Sequence, residues 1–189
     1  MNIIDKLFFN HATTPGNELP QMELEAMINA VDAQARINGS STIVVDFDNH
    51  ELLYKTDSLI YIDEVNIKDI KRSCTNPYWS LVSDETLSFL LSIRKAFELL
   101  DGMLYKKEYA HHVCTIDYPI ILKGREIYIH QKFTPIYLRP DGITKIGLFS
   151  FTNSSKKKLD SMIITPSGKR FKFDLAKKIF YPVSPNLSR

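Results

Sequence analysis

The tract His111-His112-x-Cys114, with His130 on a later alternating segment, holds the residue types closest to chemistry in this chain. Two imidazoles and a thiolate can bind zinc. Adjacent histidines on a strand point to opposite faces, however, and neither C-x-x-C nor H-x-x-x-H accompanies them. Satisfied or solvent-facing side chains are therefore the expected state, and no metal site is assigned. Nucleophilic catalysis would need a Ser or Cys beside a His with an orienting acid, and no G-x-S-x-G elbow occurs. Asp46 and Asp48 stand two apart on a predicted strand and share a face, but the adjacent turn accounts for both. With neither G-x-G-x-x-G nor a P-loop, the simplest nucleotide-binding routes are also missing. No catalytic residue and no cofactor is assigned, and the chain is not read as an enzyme.

Aromatic residues are the more informative group. Tyr54, Phe89, Phe97, Tyr128, Phe133, Phe149 and Phe151 fall on segments that a sheet and its helices would press together. Stripes of this spacing usually fill interiors, and core packing is the first reading. A ligand cavity is the other. Its candidate lining is Phe89, Ile93 and Phe97 on one helix, Ile127, Ile129 and Phe133 on one strand, Phe149 on the next, and Tyr54 as a polar donor. Alternation in 125–138 puts Ile127, Ile129 and Phe133 on one face and Tyr128, His130 and Lys132 on the other, with the apolar set expected to face inward.

The elements that would position these residues follow from period and punctuation. Leu24, Met27, Ile28 and Val31 lie at i, i+3, i+4, i+7 and predict a helix over 21–37, stopped by Asn38-Gly39. Segments 42–47 and 51–55 flank Asp48-Asn49-His50 as a β-hairpin. Ser83 is placed to cap a helix over 83–101, where Leu87, Leu90, Leu91 and Phe97 form a stripe ending at Gly102. From Tyr118 the period changes to two. Strands are expected over 125–138 and 143–152 around Arg139-Pro140-Asp141-Gly142, then over 161–165 and 169–174 around Pro166-Ser167-Gly168.

Composition bounds the class. The 189 residues, 44% hydrophobic and 24% charged with few glycines and prolines, are an ordinary globular composition long enough for a core of its own. The N-terminal stretch MNIIDKLFFNHATTPGN carries Asp5 and too few apolar residues for a signal-peptide core, and no apolar run approaches the roughly 20 residues of a membrane helix. A cytoplasmic location is expected, with no membrane partner. Cys74 and Cys114 are read as free, buried thiols. Charge is uneven: residues 156–178 carry net +6 and residues 1–155 net −5. Such a basic run is usually a solvated face, though it can approach phosphates.

The order of segments, with STIVVDFDNHELLYKT opening a sheet and KFTPIYLRPDGITKIGLFSFT closing it, resembles the PAS fold over residues 41–153. Thr134-Pro135-Ile136, the Asp141-Gly142 turn and Ser150-Phe151-Thr152 look like the final PAS hairpin, without its terminal acid. NPYWSLVSDETLSFLLSIRKAF is similar to the PAS helical segment, with Val82-Ser83-Asp84-Glu85 keeping the acidic half of its H-P-D-D turn. No flavin-binding cysteine motif of that family is present. The closing Leu187-Ser188-Arg189 resembles the start of the L-[ST]-x-R-E opening of LuxR-type helix-turn-helix domains.

The resemblance implies an α+β, PAS-like antiparallel sheet of about five strands, with helices on one face and an extra N-terminal helix. Residues 1–40 would be the helical extension, 41–154 the sensor, and 155–189 a hairpin and linker toward a missing DNA-binding domain. Such a module would bind a small apolar or aromatic molecule, or a partner, work as a homodimer, and reach DNA only through that missing domain. The rival is an interaction or dimerisation module with a filled core.

Overall fold

The computed structural model describes residues 20–57, 60–61, 78–101, 111–140, 142 and 144–184. Helix α1 (Gln21–Asn38) starts behind Pro20, whose carbonyl accepts the Glu23 and Leu24 amides at 2.9 and 3.0 Å. It stops where Asn38-Gly39 predicts. Gly39 adopts φ 58°, a left-handed conformation that costs glycine nothing, and the Ser40 amide reaches back to the Ala35 carbonyl at 3.1 Å. Leu24, Met27, Ile28 and Val31 lie half-buried along the expected stripe, with Ala35 fully buried.

Strands β1 (Ser41–Asp46) and β2 (Glu51–Lys55) form the opening hairpin. Its turn is shaped by Asp46, whose buried carboxylate accepts the Asp48 and Asn49 amides at 2.9 and 3.0 Å. A short 3₁₀ turn (Trp79–Leu81) leads to helix α2 (Asp84–Asp101), where Ser83 Oγ accepts the Thr86 amide at 3.2 Å as the expected cap. The stop expected at Gly102 lies outside the described residues. Then come β3 (Val113–Leu122), β4 (Arg125–Leu138), β5 (Thr144–Asn153), β6 (Asp160–Ile164), β7 (Arg170–Asp174) and β8 (Ile179–Val183).

These strands make one antiparallel sheet in the order β2-β1-β5-β4-β3-β6-β7-β8. That finding overturns the expected PAS-like α+β fold of about five strands: the sheet has eight and dominates the structure. The hairpin placed beyond the sensor, β6–β7, continues the same sheet by pairing β6 with β3. Strands β3 and β8 carry weak sequence signals for a physical reason. In VCTIDYPIIL Asp117 is buried along with its neighbours Ile116 and Tyr118, so alternation is broken, and Pro119 follows. In β8 the run is short and carries Pro182.

One face of the sheet carries the core. Ile43 and Val45 (β1), Phe149 and Phe151 (β5), Ile129 (β4), Cys114, Ile116, Tyr118 and Ile120 (β3), Ile163 (β6), Phe173 (β7) and Phe180 (β8) form one buried cluster. Helix α2 closes it with Phe89, Leu90, Ile93, Ala96 and Leu100. The other face receives α1: Val44 stands directly opposite Tyr54 in the β1–β2 register, and Tyr54 bonds to Asp32 of α1. The two described helices therefore flank opposite faces, with α1, the expected N-terminal extension, on the outer one. No described helix is long and apolar enough to cross a membrane.

Candidate functional site

The inner face concentrates aromatic rings along two lines that α2 crosses. Phe97, on the C-terminal half of α2, packs on His112 with ring centroids 4.9 Å apart. His112 is fully buried just before β3 and lies 6.2 Å from Phe133, which in turn sits 4.9 Å from Phe149. Phe47, past the end of β1, meets both Phe133 and Phe149 edge-on at 6.3 Å. Two turns earlier on α2, about 12 Å along its axis, Phe89 meets Phe173 at 5.8 Å, and Phe173 meets Phe180 at 5.3 Å.

The expected lining set is thus only partly assembled. Phe97, Phe133 and Phe149 come together through His112, and Ile93 is buried between the two aromatic lines on the same helix. Ile127 and Ile129 do face inward as alternation requires, but they pair with Ile120 and Tyr118 further along the sheet. Phe89 belongs to the β7–β8 line. Tyr54 is on the opposite face: its hydroxyl donates to Asp32 Oδ1 at 2.7 Å, and burial, reinforced by that bond, pushes its pKa up to about 12.

His112, Phe47, Phe173 and Phe180 stand outside the lining expected from sequence. The two-residue spacing of Phe171 and Phe173 on an expected strand was the available signal. His112 carried none, because its place under Phe97 depends on where the chain enters β3.

The interior also holds polar groups in fixed pairs. Tyr118 donates to Gln131 Oε1 at 2.9 Å, and Tyr78, packed on Phe151 at 5.1 Å, donates to the Ile60 carbonyl at 2.7 Å. Cys114 is buried, and desolvation pushes its thiol up to about 12 against a lowering contact from Ser161, so little thiolate forms near neutrality. Gly147 is the floor beneath two rings: a Cβ there would come within 2.6 Å of Phe133 and 2.7 Å of Phe47.

The outer face holds a separate polar cluster. Asp117, buried on β3, accepts hydrogen bonds from Ser154 Oγ at 2.6 Å, His130 Nδ1 at 2.8 Å and Lys156 Nζ at 3.1 Å. Lys156 also reaches Asp160 at 3.1 Å. Burial alone would raise the Asp117 pKa, but the Ser154, His130 and Lys156 donors outweigh it and hold the carboxyl below its ordinary range. Burial would lower Lys156, and Asp117 and Asp160 reverse that, leaving it raised.

Ser154 and His130 both point at Asp117, and among the described residues no bond joins them, so the three do not form a nucleophile–base relay. The metal reading separates in the same way. His112 and Cys114 belong to the inner face and His130 to the outer, and no group of three or more His, Cys, Asp or Glu among the described residues is placed to hold a metal ion. No protein-family model matches the sequence, and none of the curated proteins compared with it matches either.

Proposed function

We propose that this chain is the signal-receiving part of a cytoplasmic LuxR-type transcription regulator. It takes a small apolar or aromatic molecule between α2 and the β4–β5 strands and passes the signal to a helix-turn-helix domain that follows it. The observation that carries the reading is the run Phe97–His112–Phe133–Phe149, an aromatic cluster with one imidazole set into it beneath a helix. Mainly apolar walls with a few polar groups for orientation are the usual make-up of a small-molecule site. His112 replaces Tyr54 as the polar group of that lining.

The closing Leu187-Ser188-Arg189, similar to the opening of LuxR-type helix-turn-helix domains, supports the regulator assignment from the sequence side. A homodimer through α1, where Met22 and Ile37 are 80% and 79% exposed, fits a reader that works as a pair. The second reading, an interaction module with a filled core, is favoured by the crowding at Gly147, which leaves no room beneath Phe47 and Phe133.

A metabolite screen read by melting temperature tests the proposal. A ligand present at a hundredfold its dissociation constant stabilises the fold by about 2.7 kcal/mol. If no compound shifts the wild type, the filled-core module is the better reading.

A further inference from the structure

A buried cation stands at one end of the inner face. Lys145, near the start of β5, is only 7% exposed. Its main chain fixes its place. The Phe47 amide donates to the Lys145 carbonyl at 2.8 Å, continuing the register that sets Val45 opposite Gly147 and Asp46 opposite Ile146. Lys145 is therefore the cross-strand neighbour of Phe47, with Cβ atoms about 5 Å apart. It also lies two residues from Gly147, about 7 Å along the strand on the same face. That face is the inner one, because a Cβ on Gly147 would point into the Phe133 and Phe47 rings.

A lysine is rarely buried to this extent without a counter-charge. Among the described residues no acid pairs with Lys145, and no hydrogen bond holds its Nζ. The two nearest acids of the β1–β2 hairpin are committed elsewhere. Asp46 turns to the outer face, since Val45 and Phe47 on either side of it pack inward, and its carboxylate accepts the Asp48 and Asn49 amides. Asp48 pairs with the buried Arg139 at 3.3 Å. The ammonium of Lys145 thus borders a cluster that is otherwise aromatic apart from His112. Phe47, Phe97 and Phe133 are each half-buried, so the cluster is reached from solvent.

We propose that the molecule taken up under α2 is an aromatic carboxylate, with its ring against Phe47, Phe97 and Phe133 and its carboxylate on Lys145 Nζ. The ligand's charge is thereby added to the small-molecule reading of the cluster, on which the assignment rests. Desolvating an ammonium with no counter-charge is costly in the free protein. A bound carboxylate supplies that charge and a charge-assisted hydrogen bond in a place where water is partly excluded. The same contact discriminates. A neutral amide of the same shape offers Lys145 a hydrogen bond but no opposite charge, and is the weaker ligand.

The test is calorimetric titration of benzoate and phenylacetate, each beside its own amide, into the wild type, Lys145→Met and Lys145→Arg. The wild type should bind at least one acid more tightly than its amide. Lys145→Met keeps an unbranched stem against Phe47 and removes the charge; it should weaken that acid by roughly tenfold or more and leave the amide within about twofold. Lys145→Arg, which keeps the charge, should retain the preference for acid over amide. Lys145→Met should melt no lower than the wild type, because the ammonium has no partner among the described residues to lose.

Equal binding of acid and amide by the wild type, or equal binding of the acid by the wild type and Lys145→Met, would overturn the proposal. Binding of none of the four probes would overturn it as well. A neutral compound that shifts the melting temperature in the metabolite screen would then show that the small-molecule reading survives, and the absence of any such compound that it fails too.

Discussion

The Tyr54 hydroxyl donates to Asp32 Oδ1 at 2.7 Å, tying β2 to α1 on the face of the sheet away from the aromatic lining. Asp32 also pairs with Arg36 at 2.9 Å one turn along the helix. Tyr54→Phe should therefore weaken helix docking by about 1 kcal/mol and leave ligand affinity unchanged. The folded-state pKa lies near 12 against an unfolded value of 10.0, so the contribution is complete below pH 10 and is lost as pH rises toward 12. Denaturant midpoints of wild type and variant should differ at pH 8 and converge toward pH 12.

Asp117 ties β3, β4 and the β5–β6 connection through one buried carboxylate. Asp117→Asn should cost about 2 kcal/mol at neutral pH, because the buried carboxylate that accepts from Ser154, His130 and Lys156 is replaced by a neutral amide. The folded pKa is below the unfolded 3.8, so this stability is fully present above about pH 4 and disappears as pH falls through the folded value. Urea unfolding at pH 7 and pH 3 checks it: the gap between wild type and variant should narrow in acid.

Gly147 accommodates Phe133 and Phe47 by having no side chain. Gly147→Ala should destabilise by about 1 to 3 kcal/mol through overpacking. Adding Phe47→Leu, which shortens one of the two crowding rings, should recover part of the loss. A double-mutant cycle measures the coupling, and simple additivity would show that the contact is relaxed in solution.

Local chemistry was legible in the sequence and long-range chemistry was not. Asn38-Gly39, Ser83 and the Asp46–Asn49 turn act through bonds to residues a few positions away, so their types alone located the end of α1, the start of α2 and the opening hairpin. The inward set Ile127, Ile129 and Phe133 was equally readable, because alternation within a strand is a local property. The number of strands was not. The buried positions of β3 blur the two-residue period, and whether β6–β8 stand apart or extend the sheet depends on Cys114 meeting Ile163 across 49 positions of chain. Tyr54 was assigned to the wrong face because the register slips between Val44 and Val45, and a strand's own sequence does not reveal such a bulge. His112 became part of the aromatic lining only through its approach to Phe97.

A ligand bound under the C-terminal half of α2 would touch Phe97 and not Phe89. Calorimetric titration of a hit compound into the wild type, Phe97→Ala and Phe89→Ala tests it most directly. Phe89→Ala should lose about 3 to 5 kcal/mol of stability, as a truncated core phenylalanine does, and the half-buried Phe97→Ala less. Only Phe97→Ala, beside His112 and Phe133, should change the dissociation constant, by tenfold or more, while Phe89→Ala, packed on Phe173, leaves it within twofold. Equal affinities for all three proteins, or a loss confined to Phe89→Ala, would contradict the account.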